Sequence, residues 1–208
     1  MTRVHQTIEA RHYKADEILR DGSIVQIRAI RPDDKERLLE HFAGLGARSR
    51  YFRFFGVKRA LTNEDLIRFT ELDFNQHVGL AATMQHNGCE RFLGVGRYIR
   101  TTSPTRAEIA VAVLDEYQHT GIGSLLIRHL AVIAHSNGFT RFEADVLGDN
   151  QRMLTLLRNS GSIIHHINSA GVVHFALHCP ESPGLAVEPS TTNYADRQSD
   201  GHEGGSHG

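Results

Sequence analysis

Glu108 stands on a short apolar strand, and ten residues later the chain reads Gln118-His119-Thr120-Gly121-Ile122-Gly123 at the mouth of an amphipathic helix. Two glycines one residue apart let the backbone turn tightly and leave several amide N–H groups without intrahelical partners. A nest of this kind at a helix N-terminus binds a phosphate or pyrophosphate. The acid upstream is a proton acceptor on the strand that feeds the nest. One segment therefore offers an anion cradle and a base. Alternation puts Glu108, Ala110 and Ala112 on one face of the strand and Ile109, Val111 and Val113 on the other. An acid followed by two small residues suits a strand beside a ligand groove, and a bulge would shift that parity. The plainer alternatives are a strand-edge acid paired with an arginine such as Arg97, and a tight turn with structural glycines.

The elements that position these groups can be read along the chain. Residues 1–23 are polar and weakly patterned, and read as an N-terminal arm or a short helix over the domain. Residues 24–30 alternate as a strand. Pro32-Asp33-Asp34 starts a helix, with Leu38, Leu39, Phe42 and Leu45 at helical spacing. Thr62 with Asp65 resembles a capping box ahead of Leu66 and Phe69. Two β-rich runs, 77–85 and 91–100, flank Asn87-Gly88, a hairpin signal. A turn near Pro104 leads into a third strand, 107–114. After the nest, Ile122, Leu125, Leu126, Leu130, Ile133 and Ala134 define one apolar face, and Gly138 closes the helix. A strand over 139–147, a helix over 149–160 closed by Gly161, and strands over 162–168 and 172–178 joined by Ala170-Gly171 complete the pattern. The predicted class is α/β (α+β), in the order β-α-α-β-β-β-α-β-α-β-β, with one domain over 24–179. Residues 180–208, rich in Gly, Ser, Thr, Glu and His, offer too little apolar surface to offset chain entropy and are predicted to be a disordered tail.

Bulk composition removes several function classes. Lys plus Arg number 23 against 24 Asp plus Glu, which lacks the basic excess of a nonspecific nucleic-acid binder. The run Arg48-Ser49-Arg50-Tyr51-Phe52-Arg53-Phe54-Phe55 interleaves arginines with aromatics, but reads as packing plus a cleft wall rather than a nucleic-acid platform. No apolar run reaches membrane-span length and the first 30 residues lack a signal-peptide core, so no membrane role is expected. Cys89 and Cys179 make no disulfide framework, which points to a reducing, cytoplasmic setting. Fourteen histidines show no metal-ligand spacing, and the adjacent His165-His166 would point to opposite faces of a strand, so no metal is expected.

Gln118-x-x-Gly121-x-Gly123 between the fourth strand and third helix, within this element order, resembles the GNAT superfamily of acyl-CoA-dependent N-acetyltransferases over residues 24–178. The 48–55 run, Leu61-Thr62-Asn63-Glu64-Asp65-Leu66 and Asn150-Gln151-Arg152-Met153-Leu154 are similar to the acetyltransferase domain of bacterial Pat-type protein-lysine acetyltransferases. Such enzymes often carry a further nucleotide-binding or CoA-ligase-like domain, for which these 208 residues leave no room. The resemblance implies the GNAT fold, acetyl-CoA as co-substrate and a primary amine, foremost a protein lysine, as acceptor. A small-molecule amine, or a noncatalytic acyl-CoA sensor, are the alternatives, and the oligomeric state stays open, a homodimer included.

An amine acceptor is mostly protonated at neutral pH and must lose a proton before attacking a thioester. Glu108 is the best-placed base to take it, a reading the resemblance supports because Ala107-Glu108-Ile109 matches the motif that carries the base in histone-type members. Glu71 or Asp73, near the acceptor-side helix, is next in line. It implies that Gln118, His119, Thr120, Gly121, Ile122, Gly123 and Ser124 hold the pyrophosphate of CoA, chiefly through backbone N–H groups. Val111, Ala112 and Val113 pair with the pantetheine arm as an added strand would. Asn150 either contacts that arm or caps its helix. Three positions depart from the family pattern. Thr120 replaces a usual basic residue, Leu157 stands where many members hold a tyrosine that acts as general acid, and Gly161-Ser162 replaces Gly-Phe.

Overall fold

A computed structural model describes residues 8–160 and 163–179. The tail expected beyond 180, the helix-closing Gly161 and the strand start at Ser162 lie outside the described residues, as do the side chains of His165 and His166. In chain order the elements are β1 (Lys14–Ile18), β2 (Ile24–Ala29), α1 (Lys35–Gly44), α2 (Ala47–Phe54), α3 (Asn63–Thr70), β3 (His77–His86), β4 (Cys89–Arg100), β5 (Arg106–Val113), α4 (Ile122–Ser136), β6 (Arg141–Leu147), α5 (Gln151–Arg158), β7 (Ile163–Ser169) and β8 (Val172–His178). The eight strands lie in the order β1-β2-β3-β4-β5-β6-β8-β7. Every neighbour is antiparallel except β5–β6, which is parallel.

The turn chemistry acts as its residues require. Asn87 (φ 51) and Gly88 (φ 78) both take the left-handed region, as a two-residue hairpin with right-handed strand twist demands. Thr62 Oγ1 accepts from Asp65 N–H at 3.2 Å while Asp65 returns the contact to Thr62 N–H at 2.9 Å, a reciprocal cap on α3. Helix α4 lies on one face of the sheet. A Cβ at Gly94 would meet Ile122 Cγ2 at 2.8 Å, and one at Gly96 would meet Leu130 Cδ1 at 3.0 Å, so glycine on β4 is what lets the helix sit this close. The opposite face of β4, carrying Val95 and Arg97, packs beneath α1, α2 and α3.

Two expectations are corrected. Residues 14–18, read as part of an arm, form the edge strand β1 against β2. Its burial alternates between exposed and half-buried, so no strong apolar pattern marks it. The segment is tied down from the far side. Tyr13 Oη donates to His129 Nδ1 at 2.5 Å, and His129 Nε2 donates to Glu17 at 2.9 Å, with Arg128 on the same carboxylate at 2.8 Å. A carboxylate can only accept, which fixes the proton of the neutral, fully buried ring on Nε2. The second correction is a third helix before β3. The arginine-aromatic run folds as α2, whose eight residues include none fully buried.

Arg28 on β2 is the largest fully buried side chain and all five of its N–H donors are used. Two go to Asp34 at 2.8 Å each, two to Glu90 and one to the carbonyl of Ala29 at 2.8 Å. Asp34 also accepts from Arg31 N–H at 2.7 Å and Arg37 at 3.0 Å. Burial opposes ionisation of Asp34, but these hydrogen bonds and charges outweigh it and hold the carboxyl below its ordinary value.

His41, on the buried face of α1, is 3% exposed and sends Nδ1–H to the carbonyl of Phe92. Burial, helped by the charges of Arg91 and Arg97, pushes its pKa down to about 4. His77 is pushed down to about 4 as well, by burial and then by Arg97. A histidine with a depressed folded pKa takes its proton first in the unfolded state, so stability rises with pH across the window and falls on acidification. Between pH 6.5 and about 4, His41 alone should cost on the order of 2–3 kcal/mol. Urea midpoints measured at pH 7 and pH 4.5 should fall accordingly, and His41→Gln should flatten the drop. An equal drop in that variant would remove His41 as its source.

Candidate active site

β5 and β6 pair only over Arg106–Glu108 and Arg141–Glu143. Beyond that, β5 keeps its β4 partner but none on the other side, while β6 continues with β8. A cleft of about 1440 Å³ occupies the gap. It runs along Ile109–Val113 on one wall and Ala144–Val146 on the other, from α2 and α3 to the start of α4. The free edge of β5 presents backbone donors and acceptors to any extended chain laid in the gap. Register through β4–β5 is unbroken, so the expected parity holds: Glu108, Ala110 and Ala112 share a face with Ile99, Arg97 and Val95.

The glycine nest lies at one end of this cleft. His119 (φ 68) and Gly121 (φ 106) both take left-handed backbone, and Gly121 caps α4. The first intrahelical bond is Leu125 N–H to Gly121 at 3.0 Å, so the N–H groups of Ile122, Gly123 and Ser124 come before the helix's own ladder. The two glycines are required for different reasons. Gly121 has open space around it and is glycine for its φ, whereas a Cβ at Gly123 would strike Leu156 of α5 at 2.9 Å. Of the seven residues expected here, Gln118, His119, Gly121, Gly123 and Ser124 line the cleft. Thr120 and Ile122 do not. Thr120 Oγ1 donates to Tyr117 at 2.6 Å, and Ile122 is 1% exposed in the core.

Gln118 serves more through its side chain than was expected. Its Nε2 donates to Val113 (3.1 Å), Asp115 (3.1 Å) and Ser49 (3.3 Å), and its Oε1 accepts from Arg152 of α5. Asp115 in turn accepts from Gly46 N–H at 2.6 Å and Ser49 Oγ at 2.7 Å, capping α2. Burial opposes its charge, but these donors and Arg152 keep its pKa below the usual carboxylate value. The cluster ties α2, the loop after β5 and α5 into one frame around the cleft. Asn150 caps α5, its Oδ1 accepting from Met153 N–H at 3.2 Å, and it also lines the cleft. Leu157 is 1% exposed and closes the wall behind it.

At the other end stands Glu108, exposed and lining the cleft. It is not paired with Arg97, which is 4% exposed and stacks on Phe69 at 4.0 Å from the ring centroid. The two acids held in reserve are occupied elsewhere. Glu71 pairs with Lys35 at 2.8 Å, and Asp73 Oδ1 accepts from Asn75, Gln76 and His77 N–H at 2.8–2.9 Å. Neither lines the cleft. The 48–55 run lines the cleft as its reading as a cleft wall expected, Arg53 included. Sequence reasoning missed Arg68, Phe69, Arg97 and Tyr117 as cleft residues, for which no sequence signal stood out. Among the described residues, no group of three or more His, Cys, Asp or Glu could hold a metal, and no helix is long and apolar enough to cross a membrane.

A sequence model of the acetyltransferase (GNAT) family matches residues 31–161. The chain belongs to the GNAT acetyltransferase family. An acetyltransferase of Pseudomonas aeruginosa is 31% identical over 140 residues, covering 67% of this chain and 75% of that protein. The acetyltransferase Pat of Mycolicibacterium smegmatis is 30% identical over 172 residues, 82% of this chain but only half of Pat. Among solved structures, the GNAT domain of S. lividans PAT superposes with TM-score 0.72 at 34% identity, covering 79% of this chain and 96% of that domain. A cAMP-binding acyltransferase from Mycobacterium smegmatis gives TM-score 0.59 at 27% identity, covering 89% of this chain and 53% of that one. The GNAT match takes in β5, the nest and α5, the elements that frame the cleft.

Proposed function

We propose that this GNAT protein transfers an acetyl group from acetyl-CoA to a primary amine, foremost a lysine side chain of a protein. The observation that carries the reading is the parting of β5 from β6, with a phosphate nest at one end of the gap and an unpaired carboxylate at the other. The cleft suits acetyl-CoA: an elongated gap with a free strand edge takes the pantetheine arm, and helix-start N–H groups take the pyrophosphate. Bound there, acetyl-CoA supplies the activated acetyl group. Val111, Ala112 and Val113 orient the arm through their backbone. His119, Gly121, Gly123 and Ser124 hold the phosphates, with Thr120 and Ile122 contributing backbone only. Gln118 holds the nest against α2 and α5, and Asn150 caps α5 beside it. Glu108 accepts the proton of the incoming ammonium. Similarity to Pat-type proteins favours a protein lysine as the acceptor, and the exposed aromatic and basic wall of α2 offers a broad surface for one.

Thiol release from acetyl-CoA, measured against lysine peptides, polyamines and aminoglycosides, tests the reading, with turnover expected on peptides first. Gly121→Glu and Gly123→Glu would each bring negative charge and a side chain to the nest. Calorimetry should show CoA affinity falling at least about tenfold in each. Undiminished affinity in both would remove the pyrophosphate from this position, and turnover confined to small amines would select the small-molecule reading.

A further inference from the structure

Three guanidinium groups, those of Arg53, Arg68 and Arg97, gather on the acceptor side of the cleft. Burial most of all disfavours the charged forms of Arg53 and Arg97, and their neighbours add to it: Arg53 and Arg68 act against Arg97, and Arg68 against Arg53. Glu108 offsets this at Arg53, whereas no carboxylate does so at Arg97. Among the described residues the three arginines take part in no ion pair, whereas neighbouring Lys58 is matched to Asp65 at 2.7 Å. Arg97 is the most costly of the three. It is 4% exposed, and its Nη1 has no hydrogen-bond partner. Burying a guanidinium with an unmet donor beside two like charges is unfavourable unless an anion completes the site.

We propose that Arg53, Arg68 and Arg97 form a receptor for a carboxylate carried by one of the two substrates, seated beside the reacting amine. Register fixes the spacing. Arg97 lies opposite Ala110 and Ile99 opposite Glu108, so Arg97 is two residues along the sheet from the base, about 7 Å. A molecule bearing an amine or acyl carbon and a carboxylate a few bonds away can therefore reach both. The Phe69 ring under the Arg97 guanidinium leaves its plane edge free for a carboxylate and excludes water from one face. The carboxylate has two sources, the far end of a dicarboxylic acyl group or the α-carboxylate of an amino-acid acceptor. The site rests on the transferase reading for its purpose but not for its existence.

Three measurements decide it. The first needs no CoA: glutarate at millimolar concentration should raise Tm by about 2 °C or more over sodium chloride of equal ionic strength. The second compares succinyl-CoA with acetyl-CoA for binding and turnover. The third compares lysine with lysinamide as acceptors. In at least one of the last two, the carboxylate form should be favoured at least tenfold, and which one names the source. Arg97→Met and the exposed Arg68→Gln should each remove the glutarate effect and bring the ratio towards one, with circular dichroism confirming the fold. If glutarate has no effect on the native protein and neither comparison favours the carboxylate, the proposal is overturned. It is also overturned if both variants keep the preference. If no CoA thioester binds or turns over but the glutarate effect is present and lost in the variants, the transferase reading fails and the anion site stands.

Discussion

Glu108→Gln is expected to lower kcat about 100-fold at pH 7, within the usual range for loss of a general base, while acetyl-CoA affinity changes by less than about twofold. The amide keeps the shape of the acid and removes its basicity. Glu108 makes no ion pair among the described residues, and it is exposed on the face of β5 opposite α4, so stability should be preserved. The defect is then chemical. A lysine ammonium with a pKa near 10.4 is about 0.04% deprotonated at pH 7, and an enzyme without a base depends on that fraction. The mutant rate should climb close to tenfold per pH unit and approach the native rate in alkali. Near-normal kcat at pH 7 with a good acceptor would end the assignment. The two neighbouring acids could not then inherit it, since Glu71 is held by Lys35 and Asp73 by three backbone N–H groups.

The largest stability effect is expected far from the chemistry. Asp34→Ala should cost about 3–5 kcal/mol, the range for removing one partner of a buried ion pair. Arg28 would keep its charge 1% exposed with two of its five donors unmet. Total stability of a domain is only about 5–15 kcal/mol, so the variant should unfold at a Tm lower by about 10 °C or more. The double variant Arg28→Met with Asp34→Ala should recover part of the loss, because the stranded charge is gone. If the double variant is less stable than Asp34→Ala by the full value of a second deletion, the pair is additive and the stranded-charge account is wrong. Since Asp34 ionises below the usual carboxylate value, its contribution persists through mild acid and fades only below that range. The buried histidines give way first.

The nest, the hairpin at Asn87-Gly88, the cap at Thr62 and the sheet beyond it were legible because each is local: a few neighbouring residues set the backbone. β1 was not legible, since Lys14–Ile18 alternates too weakly to announce a strand and is held by His129 and Arg128, more than a hundred residues away. Helix α2 was hidden because its eight residues carry three arginines and no fully buried side chain, so periodicity had nothing to report. In the site, Glu108 could be placed by alternation on one strand. The arginine cluster could not, because Arg53, Arg68 and Arg97 come from α2, α3 and β4 and meet only through the fold. Asn150 was ambiguous for a physical reason, as an asparagine at a helix start can cap whether or not it touches a ligand.

An unpaired strand edge on the outside of a protein is a hazard, a template on which any stray chain can aggregate. Here the two outer strands are β1 and β7, while β5 carries a third edge inside the sheet, opened where it leaves β6 after three residue pairs. Helix α4 shields one side of it and α1 to α3 the other. Another protein's strand would have to enter between two layers of helix. A thin, unbranched chain without bulky side groups meets no such barrier. On the proposed function, the recess would act as a filter on shape, open to a cofactor arm at an edge from which another protein's strand is shielded.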